Sequence, residues 1–268
     1  MKILVTGSSG LVGSHFVENY SNPDDIILSP SGEELNIANP KSIDNFFKFN
    51  NPDIIIHFAA FTDVSKAETE RNDKKGQCWV VNVEGTTNLL KAASDNQSYF
   101  IHISTDVVFS GSKNNPGPYG EDYPPEENPN LLSWYGWTKR EAEKLVINNF
   151  KNAAILRIAN PVRARYRDKL DYVRKILKQF DEDKLYPMFD DQYLTLTYIN
   201  EVTDALKLLL EKKLTGTYHV SSTNVFTPYK LATLLIDRVR GRRGVVKPIS
   251  IEEFLKDISI LPSPSDAD

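Results

Sequence analysis

Residues 2–13 read KILVTGSSGLVG, an apolar run that leads into three glycines, and a helical pattern follows through Phe16, Val17 and Tyr20. This order predicts a strand, a glycine turn and a helix. Such a turn lets the backbone approach a pyrophosphate closely, and the helix N-terminus adds unpaired N–H groups and a positive dipole end. The spacing is Gly-x-x-Gly-x-x-Gly rather than Gly-x-Gly-x-x-Gly. Its place directly after an N-terminal strand still favours dinucleotide binding over a merely tight turn.

The alternation of strand and helix continues beyond this turn. Further strands are predicted at 25–29, 53–58, 99–104 and 153–158. Continuous apolar strands that alternate with helices indicate a parallel sheet covered on both faces, so we predict an α/β fold with a doubly wound parallel sheet. The alternation loosens after Pro161. We therefore expect one domain at 1–160 and a smaller lobe at 161–268, from which residues 197–222 return to the sheet.

The composition argues against several classes of protein. The 268 residues carry a formal net charge of -4, which gives no basic field for nucleic acid or for an anionic membrane surface. The apolar run at 54–61 is far too short to span a bilayer. A single cysteine, Cys78, is typical of a reducing compartment, so we expect a cytoplasmic protein. The four histidines are scattered, and we expect no metal site.

Tyr135 and Lys139 are four residues apart in a segment with a helical pattern, for which Ser133 is a suitable cap. On a helix such positions share one face, about 5 to 6 Å apart. The ordinary pKa of Tyr is about 10, and a nearby ammonium lowers it by favouring the phenolate. The pair could therefore serve as an acid or base. By itself, however, Tyr-x-x-x-Lys more often marks a half-buried Tyr beside a solvated Lys.

Hydroxyl side chains mark the end of the predicted strand at 99–104. Ser104 and Thr105 would lie at the carboxyl end of a parallel strand, where open α/β sheets bind their ligands. The following segment, 111–130, is dense in Pro, Gly, Asn and acidic residues and cannot pack a core. Loops of this length are lids or binding loops in some proteins and plain surface excursions in others, and both interpretations stay open.

Other polar features leave their roles open. A long helix is predicted over 78–93 with Asn82 inside it, where a polar side chain is usually exposed. The basic run from Arg163 to Lys169 suits either a substrate diphosphate or a solvated face. After the second strand, Leu28 to Ser31 include neither an acidic residue nor an Arg, so the choice between NAD and NADP is not decided.

Three spaced motifs relate the chain to a known superfamily. The glycine turn, Ser104-Thr105-Asp106 and Tyr135-x-x-x-Lys139, in that order, resemble the extended short-chain dehydrogenase/reductases. Within that superfamily the chain is most similar to the dTDP-4-dehydrorhamnose reductase family. The matching stretches are FAAFTDVSKAE at 58–68, STDVVFSG at 104–111, WYGWTKREAE at 134–143 and LRI at 156–158. The likeness extends from Met1 to about Ser222.

The resemblance implies a Rossmann domain that binds NAD or NADP and a smaller C-terminal substrate-binding lobe. It further implies an NAD(P)H-dependent reductase acting on the C4 carbonyl of a nucleotide-diphosphate 4-keto-6-deoxy sugar. Tyr135 would be the acid, Lys139 its pKa-lowering partner and ribose ligand, and Thr105 the hydroxyl that orients the carbonyl.

Individual contacts are implied in the same way. Cofactor contacts are implied at the pyrophosphate for Gly7, Gly10, Leu11, Val12 and Gly13, at the adenine for Asn36 and Ile37, and near the nicotinamide for Phe58, Ala59, Ala60, Asn82, Tyr135 and Lys139. Substrate contacts are implied for Thr105, Asp106, Val107, Tyr135 and Arg157. The chain departs from the family pattern at two of these positions, since Asn36 stands where Asp is usual and Val107 where Tyr is usual.

Two other functions remain open. One is an epimerase or dehydratase on the same fold, although the dehydratases usually place Asp-Glu beside the strand-end Thr, and here Val107 follows Asp106. The other is a non-catalytic NAD(P)-binding regulatory subunit similar to the β subunit of methionine adenosyltransferase. We expect a nucleotide-sugar partner and allow for a homodimer. The tail at 262–268 ends earlier than the family leads us to expect, which leaves the extent of the substrate lobe open.

Overall fold

The computed structural model describes residues 1–166 and 169–260, and within them the main sheet has six parallel strands. The strands in chain order are β1 (Lys2–Thr6), β2 (Ile26–Leu28), β3 (Ile54–His57), β4 (Tyr99–Thr105), β5 (Ala153–Ile158), β6 (Pro161–Val162), β7 (Met188–Phe189), β8 (Thr197–Tyr198), β9 (Gly216–Val220) and β10 (Pro248–Ile249). The main sheet has the order β2-β1-β3-β4-β5-β9. This order reverses direction between β1 and β3, which is where doubly wound sheets bind their ligands.

Helices connect these strands. They are α1 (Gly13–Asn19), α2 (Pro40–Asn50), α3 (Val64–Glu68), α4 (Gln77–Trp79), α5 (Gly85–Asp95), α6 (Trp134–Asn149), α7 (Tyr172–Asp181), α8 (Ile199–Lys212), α9 (Pro228–Arg240) and α10 (Ile251–Ile260). A π-helical segment, Val80–Glu84, joins α4 to α5. Side-chain caps begin several of the helices: Asn39 Oδ1 accepts from the Lys41 N–H at α2, and Ser133 Oγ accepts from the Gly136 N–H at α6.

The apolar strands bury side chains on both faces of the sheet. Ile3 and Val5 of β1 lie in one core with Phe16 of α1, while Leu4 lies in a second core with Leu89 of α5. Alternate residues of a strand point to opposite faces, so a sheet buried on both sides needs uninterrupted apolar strands. The predicted α/β doubly wound parallel sheet is therefore confirmed.

The chain forms two compact units. The first contains Met1–Ala159 and Ile199–Val220. The second contains Asn160–Tyr198 and the chain from Ser221 onward. The second unit has its own core, in which α7 and α9 pack beside β7 with Ile176, Met188 and Leu231 buried. Two short parallel pairs, β6 with β8 and β7 with β10, complete what the structure describes of it.

The structure differs from the sequence-based expectation around Asn82. The predicted helix over 78–93 is interrupted by the π-helical segment, and Asn82 within it is 1% exposed rather than solvated. No helix in the described part of the chain is both long and apolar enough to cross a membrane. The tail at 262–268 and Arg167 of the basic run lie outside the described residues.

Candidate functional site

The glycine turn after β1 is held against the segment that follows β3. Gly7 has a φ of +68°, and a Cβ there would lie 2.6 Å from the Ala59 backbone nitrogen. A Cβ at Gly13 would lie 2.4 Å from the Gly7 carbonyl oxygen. Both distances are shorter than any real Cβ contact, so only glycine allows this close approach of backbone segments. The Gly10 N–H donates to the Gly7 carbonyl oxygen at 3.0 Å and closes the turn.

A buried histidine, His57, joins the end of β1 to α5 next to this turn. The Thr86 hydroxyl donates to the Asn82 carbonyl oxygen at 2.7 Å, so its oxygen can only accept from His57 Nε2, 3.1 Å away. His57 Nδ1 must then accept from the Thr6 hydroxyl at 2.8 Å. The Thr6 oxygen in turn accepts from the Ala59 N–H at 3.3 Å. Burial, with a smaller effect of Lys139, lowers the pKa of His57 to about 3, so the ring is neutral.

Asn82 links the segment after β3 to α6. Its Oδ1 accepts from the Phe61 N–H at 2.8 Å, and its Nδ2 donates to the Phe61 carbonyl oxygen at 3.1 Å and to the Thr138 hydroxyl at 2.9 Å. Thr138 donates to the Tyr135 carbonyl oxygen at 2.8 Å. The π-helical segment places this amide at the turn, in keeping with the frequent occurrence of such segments at functional sites. Asn82 thus positions Phe61 and the Tyr135 turn, and direct cofactor contact by its side chain stays a prediction.

Gly136 sets the distance between α6 and the end of β4. A Cβ there would lie 2.4 Å from the Val107 carbonyl oxygen, so α6 reaches the turn after β4 only because this residue has no side chain. The contact brings Tyr135 close enough to Thr105 for the Thr105 hydroxyl to influence the pKa of the phenol, while that hydroxyl donates to Asp106 Oδ1 at 3.1 Å. The Thr105 oxygen also accepts from the Val107 N–H at 3.3 Å. Two of the predicted catalytic residues therefore lie side by side.

The phenol of Tyr135 is kept protonated. Burial, followed by the nearby Asp106 carboxylate, raises the pKa of Tyr135 above its ordinary value of 10, and the neighbouring Thr105 hydroxyl opposes this. Burial also raises the pKa of Asp106. The prediction that Lys139 lowers the pKa of Tyr135 is wrong for this structure, because burial and a carboxylate outweigh any effect of the ammonium. A phenol with a raised pKa is a proton donor at neutral pH rather than a base.

Lys139 lies one turn after Tyr135 on α6 and is 2% exposed. Its Nζ is 2.8 Å from the Ile103 carbonyl oxygen and 3.1 Å from His102 Nε2. Burial lowers the pKa of Lys139 to about 8, although Glu143 and Cys78 act in the opposite direction. The alternative of a solvated Lys in the Tyr-x-x-x-Lys pattern is therefore excluded.

The remaining predicted cofactor residues lie along the same edge of the sheet. Leu11 and Val12 belong to the glycine turn, and Phe58 packs against Phe16 with the ring centroids 6.3 Å apart. Ile37 is buried, and its carbonyl oxygen accepts from Asn88 Nδ2 at 3.0 Å. The residues predicted to contact the cofactor fall mainly in three segments: Gly7 to Gly13, Asn36 with Ile37, and Phe58 to Ala60.

The Asn36 side chain is used within its own turn. Its Oδ1 accepts from the Ala38 N–H at 3.0 Å. The backbone N–H of Asn36 donates to the Ser42 hydroxyl at 3.0 Å. A carboxylate at this position could accept the same bond from Ala38, so the Asn preserves the turn that the family's Asp would form. Its contact with an adenine stays a prediction.

Arg157 has a buried partner. On β5 it is 4% exposed, and its Nε and Nη2 donate to the carboxylate of Glu143 at 3.0 and 2.7 Å. Its guanidinium lies over the Phe109 ring, 4.9 Å from the centroid. Val107 at the turn after β4 is 37% exposed. The structure therefore gives Arg157 a structural ion pair, and its predicted contact with the substrate, like those of Asp106 and Val107, stays a prediction.

The segment at 111–130 is tied to the rest of the first unit. Tyr119 stacks on Phe109 with centroids 4.2 Å apart, and the Glu126 N–H donates to the Val108 carbonyl oxygen at 2.9 Å. Arg140 of α6 donates to the Glu126 carbonyl oxygen at 3.2 Å and pairs with Glu127. These contacts do not distinguish a binding loop from a surface loop.

The first residue of the basic run after β6, Arg163, already has partners within the chain. Arg163 is 6% exposed and lies over the Tyr166 ring, 4.6 Å from the centroid. The N–H of Arg163 donates to Asp171, which also caps α7. The simple alternative of a solvated face does not fit Arg163. Among the residues described, no group of three or more His, Cys, Asp or Glu side chains is placed to hold a metal ion.

Comparison with known proteins agrees with this geometry. A sequence model of the RmlD substrate binding domain matches residues 1–260. The chain belongs to this family. This RmlD-family chain is 29% identical to dTDP-4-dehydrorhamnose reductase of Sinorhizobium fredii over 95% of its own length and 84% of that protein's. It is also 29% identical to bovine methionine adenosyltransferase 2 subunit beta, over 93% of its own length and 75% of the relative's.

A solved structure shows the same arrangement. The crystal structure of dTDP-4-dehydrorhamnose reductase from Bacillus anthracis in complex with NADP superposes on the RmlD-family chain with a TM-score of 0.82. The two are 27% identical, and the match covers 94% of this chain and 85% of the other. The predicted resemblance to the dTDP-4-dehydrorhamnose reductase family is confirmed.

Sequence reasoning missed several residues of the site. Gly136 interrupts a helical pattern, and a Gly inside a helix often has a packing reason. The role of Glu143 was also missed, although Arg157, which was predicted as a substrate contact, is a charged residue within an apolar strand and requires a buried partner such as Glu143. His102 gave no signal of its own, because its contact with Lys139 joins residues 37 positions apart.

Proposed function

We propose that this RmlD-family chain is an NAD(P)H-dependent reductase of a nucleotide-diphosphate 4-keto-6-deoxy sugar. The observation that carries the proposal is that Tyr135 lies near Thr105 at the carboxyl end of β4, while Lys139 of the same helix is bound to Ile103 of that strand. A hydroxyl and a protonated phenol lie together there, with a buried amine behind them. The similarity to a dTDP-4-dehydrorhamnose reductase along nearly the whole chain supports the choice of substrate class.

The residues at the edge of the sheet fit a dinucleotide. The turn from Gly7 to Gly13 presents backbone without side chains at its three glycines. Within the described chain, the first turn of α1 has neither a side-chain cap nor an acidic residue, so an anion meets no opposing charge from that turn. A reduced nicotinamide supplies the hydride when it is bound. The likeness to a reductase crystallised with NADP supports this assignment and leaves the preference between NAD and NADP open.

Tyr135 provides the proton. A carbonyl oxygen becomes an alkoxide when its carbon gains hydride, and a neutral phenol beside it can donate a proton as that charge develops. The raised pKa keeps the Tyr135 proton in place until then. The phenolate that remains has a higher affinity for protons than an ordinary Tyr, so it recovers a proton readily.

Thr105 and Lys139 act on either side of the phenol. The Thr105 hydroxyl donates to Asp106 Oδ1 at 3.1 Å, and we propose that it turns to the carbonyl oxygen when substrate binds and orients it as a second polar contact. Among the described residues, Lys139 has two acceptors, Ile103 and His102, for the three N–H bonds of its ammonium, which leaves one for a ribose hydroxyl.

We assign the two units to different tasks. The unit with Met1–Ala159 and Ile199–Val220 is proposed to bind NAD(P), because it carries the glycine turn and the three catalytic residues. The unit that starts at Asn160 is proposed to bind the substrate. Asp106, Val107 and Arg157 are proposed as contacts on the sugar side.

The alternative of a regulatory subunit is favoured by one observation, the 29% identity to bovine methionine adenosyltransferase 2 subunit beta. A protein of that kind would bind the nucleotide without turnover and would associate with an enzyme partner. A protonated phenol beside a hydroxyl has no purpose in a binding protein. An epimerase or dehydratase would use the same fold but would regenerate its nucleotide in each cycle.

Three further proposals concern the location of the protein, nucleic-acid binding and oligomeric state. A cytoplasmic location is supported by the single buried free thiol of Cys78. The absence of nucleic-acid binding is supported by the net charge of -4. We also propose a homodimer, which sedimentation of the purified protein would test.

The first experiment follows the loss of reduced-nicotinamide absorbance when the purified protein meets dTDP-4-dehydro-6-deoxy-hexose with NADH or NADPH. Tyr135→Phe should lower turnover by about 100- to 10,000-fold while nucleotide binding persists, since removal of a general acid has effects of that size. Tyr20→Phe is the control, because the Tyr20 hydroxyl bonds Asp25 away from the site. Full activity in Tyr135→Phe would contradict the mechanism. Nucleotide binding without oxidation in the wild-type protein would favour the regulatory alternative.

A further inference from the structure

His102 is a buried residue that the proposed reaction does not use. It lies on β4, is 0% exposed, and its Nε2 is 3.1 Å from Nζ of Lys139. The second acceptor for Lys139 is the carbonyl oxygen of the next residue, Ile103, at 2.8 Å. Two consecutive residues of β4 thus hold the lysine of α6, and the same strand ends at Thr105. One strand therefore positions the amine and the hydroxyl together.

The direction of this hydrogen bond fixes the state of the His102 ring. An ammonium can only donate, so Nε2 must accept and the ring proton must be on Nδ1. Among the described residues His102 Nδ1 has no hydrogen-bond partner, although it is buried. Native proteins rarely leave a buried N–H unpaired, and such exceptions need an explanation. The contact with Lys139 supplies one, because only this tautomer presents an acceptor to the ammonium.

We propose that His102 is a positioning residue, which holds the Lys139 ammonium behind Tyr135 by accepting a hydrogen bond at Nε2. This role rests on the function proposed above. His102 touches neither substrate nor the reacting atoms in this arrangement, and acts through Lys139 alone. Its neighbour His57 cannot substitute for it, because both nitrogens of His57 are bonded to the hydroxyls of Thr6 and Thr86.

Lys139 is sensitive to such a contact because its charge is finely balanced. Burial disfavours the ammonium, while Glu143 and Cys78 favour it, and its pKa falls to about 8. The titratable and charged groups that surround this part of α6 are His57 on β3, Cys78 on α4, His102 on β4, Tyr135 and Glu143 on α6, Arg157 on β5 and Asp106 at the turn after β4. Loss of an acceptor for the ammonium should therefore move the pKa of Lys139 further down.

The test measures the pKa of Lys139 directly by NMR of protein with isotope-labelled lysine, with Lys139→Met used to assign the signal. His102→Leu should lower the proton affinity of Lys139 about tenfold, which is one pKa unit. His102→Gln should leave it near the wild-type value, because the amide oxygen can accept the same bond. His102→Met carries the same test should His102→Leu fail to fold. An unchanged Lys139 pKa in the apolar variant would overturn the proposal.

A second readout links the pKa to turnover. In the wild type, kcat should decline as the pH rises through the pKa of Lys139, and in His102→Leu this decline should begin about one pH unit lower with little change in KM. His102→Gln should restore the wild-type profile. The NMR titration needs no substrate, so absence of turnover on the keto-sugar would count against the proposed function alone. A shifted pKa with an unshifted profile would contradict a role of His102 in the reaction.

Discussion

His57 and His102 are paired in register on the adjacent strands β3 and β4, and both are buried, yet their nitrogens have different partners. Both nitrogens of His57 bond to hydroxyls, at 2.8 and 3.1 Å. One nitrogen of His102 bonds to Lys139 at 3.1 Å, and the other has no partner in the described chain. The His57 ring, with both nitrogens bonded, stabilises the frame of the glycine turn, which consists of Thr6, Ala59 and Thr86. The His102 ring, with one nitrogen unpartnered among the described residues, contacts the buried amine of Lys139.

The two rings also hold opposite tautomers. His57 carries its proton on Nε2, which donates to Thr86, while His102 carries it on Nδ1. Burial lowers the pKa of both histidines, so both remain neutral. The same residue type, at the same depth and one strand apart, thus takes its role from the partners that neighbouring helices bring. Substitutions at the two histidines and around them test this difference.

The largest expected effect on stability is at Glu143, a carboxylate on α6 that acts to raise the pKa of Lys139. Glu143→Gln removes the carboxylate that pairs with buried Arg157, and an uncompensated buried charge costs about 3 to 5 kcal/mol. Urea unfolding would measure the loss. Asp181→Asn is the matched control, since its pair with Arg240 is on the surface, where solvent screening leaves an ion pair little effect on stability. Similar losses in the two variants would contradict a buried, structural role of the Glu143 pair.

Replacement of His57 and of His102 by leucine tests the different roles of the two rings directly. His57→Leu removes the acceptor of the Thr6 hydroxyl proton and the donor to the Thr86 oxygen, and the expected loss of unfolding free energy is about 3 kcal/mol. His102→Leu should cost less, about 1 kcal/mol, because Lys139 keeps the Ile103 carbonyl oxygen and an unpaired N–H disappears. Denaturant titration at pH 7 compares the two. A larger loss for His102→Leu would show that His102 belongs to the frame instead.

The approach of α6 to β4 can be tested at Gly136. Gly136→Ala places a Cβ 2.4 Å from the Val107 carbonyl oxygen, so α6 must move away from Thr105 and Ile103. A displacement of about 1 Å near a reacting group costs about 100-fold in turnover. Gly32→Ala is the control, since a Cβ there has no neighbour within 4 Å among the described residues. Unchanged kcat in Gly136→Ala would show that the close approach is not needed for the reaction.

The last expected effect is a pH dependence of stability, which is spread over several pH units. The pKa of His57 is about 3 in the folded protein and 6.5 ordinarily, so the unfolded chain binds the proton first as the pH falls. Its stabilising contribution is complete above pH 6.5 and declines toward pH 3, by about 1.4 kcal/mol per pH unit. Unfolding free energies at several pH values would show this slope. The slope should be smaller in His57→Gln, and an identical slope in both proteins would contradict a neutral buried His57.

The sheet was predictable because its strands are continuous apolar runs and its helices begin with recognisable caps. Residues 153–158 were predicted as a strand and form β5, and Asn39 and Ser133 begin α2 and α6. The glycine turn was predictable for a similar reason, since its glycines follow directly on β1. Such signals are local, so the sequence contains them in full.

The interior of the site was less predictable because it depends on contacts between distant residues. The direction of the Tyr135 pKa shift depends on Asp106 and on burial, which no spacing of Tyr and Lys reveals. The π-helical segment that buries Asn82 depends on backbone geometry inside an ordinary helical pattern. His102 and Lys139 meet only after β4 and α6 have packed together.

The most direct test of the central claim follows a deuterium atom. NADH and NADPH that carry deuterium at C4 of the nicotinamide, on one face or the other, are incubated with dTDP-4-dehydro-6-deoxy-hexose, and the sugar product is analysed by NMR and mass spectrometry. The account predicts that one of the two faces transfers one deuterium to C4 of the sugar, with one nucleotide oxidised per product and no transfer in Tyr135→Phe. A sugar product formed without deuterium at C4 and without net oxidation of nucleotide would contradict it.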